Sequence, residues 1–343
     1  MMLGAARGWW DRWVAWRAQD TTVFDRAEAF ATRHPLTLGR YNLALVTMRG
    51  WRRVVDVRVT GLAAEMTYYA IISLLPLLTA LGATLGFLER ILGEEQVIRL
   101  ELALVDTFAG VFEAQLIEDV LAPLVTGVLR EERSGLAIGS LAITLWLASR
   151  MFRAAIRALD DAYRVPERRS LAAQWTLGLG LSVGALLTLT LLLSTVVIGP
   201  LLGGGRQVAE WLGQDRTFET LWTLVRWPVV GLVGLGFLVV LYRYGPNVVN
   251  TWRDCLPGAV LGMLALVGVA VALRTYLAIA GPAAPELGRP GEAVSVAAQT
   301  LGAALAAILW LWLSSIVVLA GGVVNAELQR MRAETDPESG AGI

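Results

Sequence analysis

The sequence predicts an all-α, polytopic membrane protein, and three features support that class. Of 343 residues, 56% are hydrophobic and only 17% are charged, whereas an ordinary soluble domain carries about a quarter charged residues. The mean hydropathy is +0.58. The apolar residues form long blocks, and a block of about 20 residues is enough for a helix to cross a hydrocarbon core. The natural solvent of such a chain is lipid, and one membrane domain accounts for most of it.

Residues 1–60 precede the first long apolar block and are predicted to form a helical arm on the cytoplasmic side. The arm holds ten arginines and five acidic residues, and it has no apolar run long enough to cross a bilayer or to act as a signal peptide. Its first part interleaves two residue types at helical spacing: Trp9, Trp10, Trp13 and Trp16 with Arg7, Arg12 and Arg17. This pattern is typical of an amphipathic helix in the headgroup zone. The alternative is a helix packed on its own domain.

Six transmembrane helices are predicted within a membrane domain of residues 61–326. The first, residues 62–88, contains one charged side chain, Glu65, and at about 1.5 Å per residue it can cross the hydrocarbon core with some tilt. The other five are predicted at residues 135–156, 171–199, 222–243, 256–280 and 296–324. Four of their arginines lie toward helix ends, where long side chains reach the interface: Arg150, Arg153, Arg226 and Arg274.

Arginine-rich connections indicate which side of the membrane is cytoplasmic. Residues 150–170 contain six arginines, whereas residues 89–133 contain ten acidic side chains against four arginines. Both termini are therefore predicted to be cytoplasmic, with residues 327–343 as a disordered tail. Apolar residues recur at helical spacing in the 89–133 connection, which predicts two or three amphipathic helices on the outer side. These helices could cover the membrane domain, lie in the outer leaflet or gate a cavity.

The reactive side chains argue against an enzyme. The formal net charge is zero, so the chain lacks the basic excess that a nucleic-acid binder needs. The chain has one histidine, His34, and one cysteine, Cys255, and no GxxxxGKS or GxxxxGKT phosphate loop occurs. The adjacent Asp160 and Asp161 are predicted to form ion pairs with the surrounding arginines. We therefore expect no catalytic residue, metal, cofactor or nucleic-acid partner.

A polar stripe on the first transmembrane helix is the first candidate for function. Glu65, Tyr69 and Ser73 follow at intervals of four residues and share one helix face, and Pro76 removes a backbone donor beyond them. The proline could kink the helix and shape a cavity, or could simply be tolerated. A carboxylate within the membrane needs a partner, and the candidates are Arg150, Arg153, Arg243 and Arg253. Glu65 could form a buried ion pair that locks helices together, or it could be a proton or substrate site.

A second candidate lies at the inner interface, between the fourth and fifth predicted spans. Aromatic, amide and guanidinium groups gather there: Tyr242, Arg243, Tyr244, Pro246, Asn247, Asn250, Trp252 and Arg253. This set could hold a lipid phosphate, because arginine binds phosphate in a forked geometry and tryptophan prefers headgroup depth. It could equally fix the geometry of the loop.

Two further patterns concern the outer side and the last helix. Arg226 and Arg274 near the outer ends of their helices could form a second anionic site, or could simply extend to the interface. Pro228 and Pro257 are predicted to lie at helix starts. The last span contains residues that favour close helix packing and hydrogen bonding: Gly302, Ser314, Ser315, Gly321, Gly322 and Asn325.

Four segments in this order resemble the YihY/BrkB family of bacterial inner-membrane proteins. They are LAAEMTYYAIISLLPLL at 62–78, TLWLASRMFRAAIRALDDAYRVPERRS at 144–170, LYRYGPNVVNTWRDCLPGAVL at 241–261 and GAALAAILWLWLSSIVVLAGGVVNAEL at 302–328. The resemblance covers roughly residues 45–330 and implies six helices with cytoplasmic ends in the inner membrane. Members were once labelled ribonuclease BN. Metal-dependent phosphodiester cleavage requires carboxylates or histidines that converge on a cation, and the sequence offers no such cluster.

The sequence thus favours an inner-membrane protein that handles or transports an amphipathic or anionic envelope component, such as a lipid or lipid precursor. Its expected partners are membrane lipids. The alternative is a non-transporting scaffold that recruits envelope partners. A cavity that reaches Glu65 favours transport, whereas side-chain partners that seal Glu65, Tyr69 and Ser73 favour the scaffold.

Overall fold

The computed structural model describes residues 23–33, 37–38, 41–92, 134–193, 195, 215–280 and 292–335. Two short helices and a minimal hairpin come first: α1 (Val23–Arg33), β1 (Thr37–Leu38), β2 (Tyr41–Asn42) and α2 (Leu43–Asp56). The strands are antiparallel, with Thr37 opposite Asn42 and Leu38 opposite Tyr41. Six long helices follow: α3 (Val59–Leu92), α4 (Ser134–Tyr163), α5 (Leu171–Leu193), α6 (Asp215–Tyr244), α7 (Trp252–Ala280) and α8 (Glu292–Thr335).

The six long helices pack in a closed series. Each of α3 to α8 contacts the next, α8 returns to α3, and α4 also contacts α8. One apolar core lies between α3, α4 and α8 and includes Ala63, Ala155 and Val323. A second core joins α4 to α5, α6 and α7 around residues such as Leu159 and Tyr242. Helices α4 and α8 are therefore the inner pair of the bundle.

Five of these helices are long and apolar enough to cross a membrane. The qualifying stretches are Val59–Ala80, Leu171–Leu192, Val225–Tyr244, Trp252–Tyr276 and Ala304–Glu334. Large apolar side chains are exposed along them, as at Leu187, Leu232 and Leu264, which is the surface that lipid requires. The chain is therefore a multi-pass membrane protein.

Helix α4 carries the second predicted span, 135–156, but is not among the five. Where its side chains are described, Arg150 and Arg153 interrupt the apolar stretch. The six-span topology thus stays a prediction. The predicted Trp-rich helix near the amino terminus lies outside the described residues. So does the outer insertion from residue 93 to residue 133, whereas residues 89–92 continue α3.

The amino-terminal helices α1 and α2 pack on the polar end of α8. Leu45 and Val46 of α2 share a small core with Leu328 and Met331 of α8. Arg49 of α2 forms ion pairs with Glu28 at 2.6 Å and with Glu334 at 3.0 Å. Because this packing stabilises the end of α8, the helix continues to Thr335. The predicted disordered tail therefore does not begin at residue 327.

All three prolines discussed above lie within helices. Pro76 lies inside α3, as predicted. Pro228 lies inside α6, which begins at Asp215, so its predicted position at the helix start is wrong. Pro257 lies in the first two turns of α7. Just after it, the backbone N–H of Gly258 donates to Asn325 Oδ1 of α8 at 2.6 Å, while Asn325 Nδ2 donates to the carbonyl of Cys255 at 3.0 Å.

The close approach of α8 to α7 confirms the small-residue prediction at Gly321 and Asn325, and its close approach to α4 confirms the prediction at Gly322. A Cβ on Gly321 would lie 2.6 Å from the carbonyl oxygen of Gly258, and one on Gly322 would overlap the side chain of Leu159. Tyr242 of α6 donates its hydroxyl to the carbonyl of Val318 at 2.6 Å. The backbones of these helices can touch here because neither carries a side chain at the contact.

We predict that Gly258→Ala destabilises the protein by about 1–3 kcal/mol, the usual range for overpacking. The added Cβ would overlap the Gly321 carbonyl oxygen, which is backbone and cannot move aside cheaply. The measurement is thermal and denaturant unfolding of the purified protein in detergent. The control is Gly268→Ala in the same helix, where, apart from the adjacent residues and the nearby backbone of α7 itself, no described atom lies within 4 Å of the new Cβ. That variant should be neutral or slightly more stable, and equal losses in both variants would contradict the prediction.

Candidate functional site

The candidate site lies at one end of the bundle, where α4 and α6 end and α5 and α7 begin. We call it the arginine-rich end. Residues 164–170 connect α4 to α5, and residues 245–251 connect α6 to α7. Arg169 joins the two loops, because its guanidinium group donates to the carbonyls of Tyr244, Gly245 and Pro246 at 3.1, 2.7 and 2.9 Å. The last carbonyls of a helix lack intrahelical partners, and a cation there is also favoured by the helix dipole. Arg169 thus caps α6.

Asp160, on α4, binds the loop between α6 and α7. It is only 3% exposed, and its Oδ1 accepts a hydrogen bond from the backbone N–H of Asn247 at 2.6 Å. Its Oδ2 is buried without a hydrogen-bond partner in the described part of the chain. Burial raises the pKa of Asp160 to about 7, because removal from water disfavours the charged carboxylate. The predicted ion pairing of Asp160 is wrong, since no described arginine forms a salt bridge with it.

Asn250 completes this connection between loops and helices. It is buried and donates to the carbonyl of Tyr242 at 3.0 Å and to the hydroxyl of Tyr163 at 3.3 Å. Its Oδ1 accepts from Gln329 of α8 at 2.8 Å. Asn247 donates from Nδ2 to the carbonyl of Pro166 at 3.3 Å. Of the two interpretations of this cluster, the asparagines therefore match the one in which they fix the loop.

The predicted arginines of this end stack on aromatic rings. Arg150 lies over Tyr69 at 5.0 Å, and Arg153 lies over Trp175 at 4.4 Å. Arg243 lies over Trp252 at 4.6 Å and also donates to the carbonyl of Asn250. Arg253 is exposed at the start of α7. Stacking on an aromatic face satisfies a guanidinium group while leaving its edge free for hydrogen bonds.

The polar stripe of the first span has partners of its own. Glu65 Oε1 lies 2.5 Å from Arg157 Nη2, and the two side chains are 37% and 48% exposed. Arg157 was not among the four predicted partners of Glu65; it lies one helical turn beyond Arg153. Ser73 is buried and donates its hydroxyl to the carbonyl of Ala70 at 2.7 Å. The structure thus pairs Glu65 with Arg157 and Tyr69 with Arg150, and it does not join this stripe to Asn247 or Asn250.

The two outer-side arginines lie on different helices. Arg226 of α6 stacks over Trp227 at 5.3 Å, and its Nε is buried without a hydrogen-bond partner among the described residues. Arg274 of α7 is exposed. A second anionic site at these residues stays a prediction.

A cavity of about 210 Å³ opens beside the loops at the arginine-rich end. It lies between the end of α4 and the last turns of α8. The lining side chains are Ala162, Tyr163, Arg164, Val165, Val248, Ala326, Glu327, Gln329, Arg330 and Ala333. Arg164 adopts a positive φ of 60° at the end of α4, a conformation that a residue with a side chain rarely adopts. We call this space the α4–α8 cavity.

Glu327 is the buried charge of the α4–α8 cavity. It is 2% exposed, and its Oε1 lies 3.7 Å from Arg164 Nη2. Sequence reasoning missed it, because Glu327 was assigned to the start of a polar tail. Its position continues the buried face of α8 after Val323 and Ala326, and that periodicity was the available signal.

A profile of the family described as "Virulence factor BrkB" matches residues 51–341. The chain belongs to this family. It is also similar to the "Putative ribonuclease-like protein YfkH" of Bacillus subtilis (strain 168), with 25% identity over 274 residues, which is 80% of this chain and 91% of that protein. No solved structure matches the chain.

The ribonuclease-like description belongs to that relative. In the ranges that the structure describes, no three histidine, cysteine, aspartate or glutamate side chains come together as a metal-ligand set. The family membership places the chain among membrane proteins with apolar helices.

We predict that Asp160 makes the stability of the protein depend on pH. Its folded-state pKa of about 7 lies above the ordinary value of about 3.9. Between these values the folded protein binds more protons than the unfolded chain. Stability should therefore fall as pH rises through about 4 to 7. The measurement is the unfolding midpoint in detergent as a function of pH.

Asp160→Asn provides the comparison, because an amide oxygen can still accept from Asn247 but does not titrate. Its unfolding midpoint should decline less than that of the wild type over this window. Asp161→Asn, at an exposed position of the same helix, should decline like the wild type. Parallel curves for wild type and Asp160→Asn would show that Asp160 is not the group responsible.

Proposed function

We propose that this protein is a bacterial inner-membrane protein that binds the phosphate-bearing headgroup of a lipid or lipid precursor and handles or moves that molecule. The observation that carries the proposal is the α4–α8 cavity, lined by Arg164 and Arg330 at one end of a multi-pass apolar bundle. A phosphate at this end could meet two guanidinium groups, which bind phosphate oxygens through paired hydrogen bonds. The apolar helix surfaces around the bundle suit the acyl chains of the same molecule.

The proposed topology has six spans, with the arginine-rich end and both termini in the cytoplasm. The five apolar helices and α4 supply six crossings, and the positive-inside rule assigns arginine-rich connections to the cytoplasm. Trp252, Tyr244 and Trp175 occur at this end, where aromatic rings commonly mark headgroup depth. On this arrangement the α4–α8 cavity opens at the inner leaflet.

The arginine positions around the cavity support recognition of a ligand in addition to structural capping. Arg169 donates hydrogen bonds to backbone carbonyls of the loop after α6. Arg53 donates to the backbone carbonyls of Asp161 and Ala162. Arg164, by contrast, is about half exposed and reaches Glu327 only at 3.7 Å, beyond hydrogen-bond distance. Arg330 pairs with Glu334 at 3.1 Å while both remain about half exposed. These two groups therefore keep donors available to a phosphate.

A scaffold that recruits envelope partners is the second candidate. The observation in its favour is the polar stripe, because Glu65, Tyr69 and Ser73 are each engaged by a partner within the described chain. This arrangement suits a structural role for the stripe. It leaves the α4–α8 cavity unexplained, and for that reason we favour the lipid-handling proposal.

We predict that Arg164→Ala combined with Arg330→Ala lowers the amount of phosphate-bearing lipid retained by the purified protein about tenfold or more. The loss corresponds to charge-assisted hydrogen bonds worth about 1.5–3 kcal/mol. Retained lipid is counted per protein by native mass spectrometry after transfer to phosphatidylglycerol micelles. The charge-matched control is Arg26→Ala with Arg33→Ala, two exposed arginines on α1, which should retain lipid like the wild type.

An assay in lipid vesicles then distinguishes movement of the lipid across the bilayer from binding alone. Head-labelled phosphatidylglycerol should cross the bilayer faster in vesicles with wild-type protein than in empty vesicles, and the Arg164/Arg330 double variant should remove the acceleration. Retention without acceleration would favour the scaffold. Equal lipid retention in the double variant and its control would contradict the proposed function.

A further inference from the structure

The cavity contains a hydrogen-bond acceptor to which the described chain donates nothing. Glu327 is only 2% exposed, and its Oε2 has no hydrogen-bond partner among the described residues. Its other oxygen, Oε1, lies 3.7 Å from Arg164 Nη2, which is too far for a hydrogen bond. Buried carboxylates are normally satisfied, because an unsatisfied one retains its full desolvation cost. A ligand with a hydrogen-bond donor would satisfy Glu327.

The charges that surround Glu327 define the rest of the ligand. Arg164 and Arg330 line the same cavity, and Arg53 of α2 lies close enough to act electrostatically on both Glu327 and Arg164. The cavity thus presents one carboxylate flanked by guanidinium groups. A purely anionic ligand would compete with Glu327 for Arg164 and would leave Oε2 of Glu327 without a hydrogen-bond donor. A purely cationic ligand would meet two arginines. A ligand that carries both charges is complementary to all three groups.

We propose that the α4–α8 cavity binds a phosphate ester that carries a primary ammonium group, with the ammonium on Glu327 and the phosphate on Arg164 and Arg330. This inference rests on the proposed function and specifies its substrate class. The volume of about 210 Å³ is smaller than the roughly 300–1,000 Å³ of a drug-sized pocket. It fits a compact headgroup of the phosphoethanolamine type better than a sugar or a nucleotide.

Small side-chain motions suffice to engage such a group. The terminal torsion of a glutamate is broad, so rotation of the carboxylate brings either oxygen toward the cavity. The Arg164 side chain is 49% exposed and follows the last turn of α4, so its guanidinium group can move from Glu327 to a phosphate. Its left-handed backbone conformation ends α4 in the usual way, with the N–H of Val165 donating to the carbonyl of Asp160 at 3.1 Å.

The chemistry separates primary amines from methylated ones. A primary ammonium offers three N–H donors, whereas a trimethylammonium group has the same charge and no N–H. Phosphatidylethanolamine and phosphatidylcholine differ in this respect, which makes them a matched pair of probes. Because both lipids carry the same phosphate, a preference of the protein for one of them depends on the hydrogen-bond acceptor at Glu327.

The test places the full-length protein in mixed micelles with equal amounts of phosphatidylethanolamine, phosphatidylcholine and phosphatidylglycerol, and counts retained lipids by native mass spectrometry. We expect the wild type to retain phosphatidylethanolamine over phosphatidylcholine by about tenfold, the effect of one charge-assisted hydrogen bond. Glu327→Gln should reduce this ratio toward one while retention of phosphatidylglycerol persists. Asp56→Asn, which alters an exposed carboxylate of α2, should behave like the wild type.

A second measurement uses only the wild type and does not depend on the folding of a variant. Its thermal unfolding is followed with phosphatidylethanolamine and with the singly, doubly and triply N-methylated lipids. Stabilisation should decline with each methyl group and be lost with the third. Soluble phosphoethanolamine is tested separately. Stabilisation by the lipid alone supports a lipid ligand, and stabilisation by both compounds supports a site that binds the free headgroup as well. Stabilisation by neither compound overturns the proposal.

The outcomes distinguish this inference from the proposed function. Equal retention of the three lipids, still dependent on Arg164 and Arg330, would overturn the ammonium site and leave headgroup binding intact. An ethanolamine preference that survives Glu327→Gln would likewise overturn it. Retention that does not depend on Arg164 and Arg330 would overturn the proposed function itself.

Discussion

Backbone carbonyls at the end of a helix that leaves the membrane must find donors, and this requirement organises the arginine-rich end. The hydrocarbon core supplies no donors, and at this end the partners come from the chain itself. Arg169 donates to the carbonyl of Tyr244, the last residue of α6, and to the next two carbonyls of the loop. Arg53 donates to the carbonyls of Asp161 and Ala162 at the end of α4. Asn250 and Asp160 then fix the loop between α6 and α7. These contacts hold the end of α4 and the loop between α6 and α7 beside the α4–α8 cavity.

Two buried carboxylates at this end differ in what surrounds them. Asp160 receives a backbone N–H, and burial raises its pKa to about 7, so it can lose its charge instead of finding a cation. Glu327 lines the cavity beside Arg164 and Arg330, but neither guanidinium group donates a hydrogen bond to it. The first carboxylate is therefore a structural group. The second has the environment of a binding group, and the proposed ammonium site depends on that contrast.

The sequence predicted the helices far better than the contacts between them. Long apolar blocks specified the class, and Gly321, Gly322 and Asn325 of the last span indicated close helix packing without identifying the helices it would contact. The partner of Glu65 was not predictable, because Arg153 and Arg157 are one turn apart on the same helix and only the rotation of α4 against α3 selects Arg157. Glu327 was missed because the polar sequence after it resembles a tail, whereas the packing of α2 keeps that segment helical.

The family assignment and the structure together describe a multi-pass membrane bundle, and we propose that its function resides at the α4–α8 cavity. The most direct test is an electron cryomicroscopy map of the protein in nanodiscs of phosphatidylethanolamine and phosphatidylglycerol. The account predicts headgroup density between Glu327, Arg164 and Arg330, continuous with acyl chains on the bundle surface. A map with ordered lipids around the bundle and no headgroup density in that cavity would contradict it.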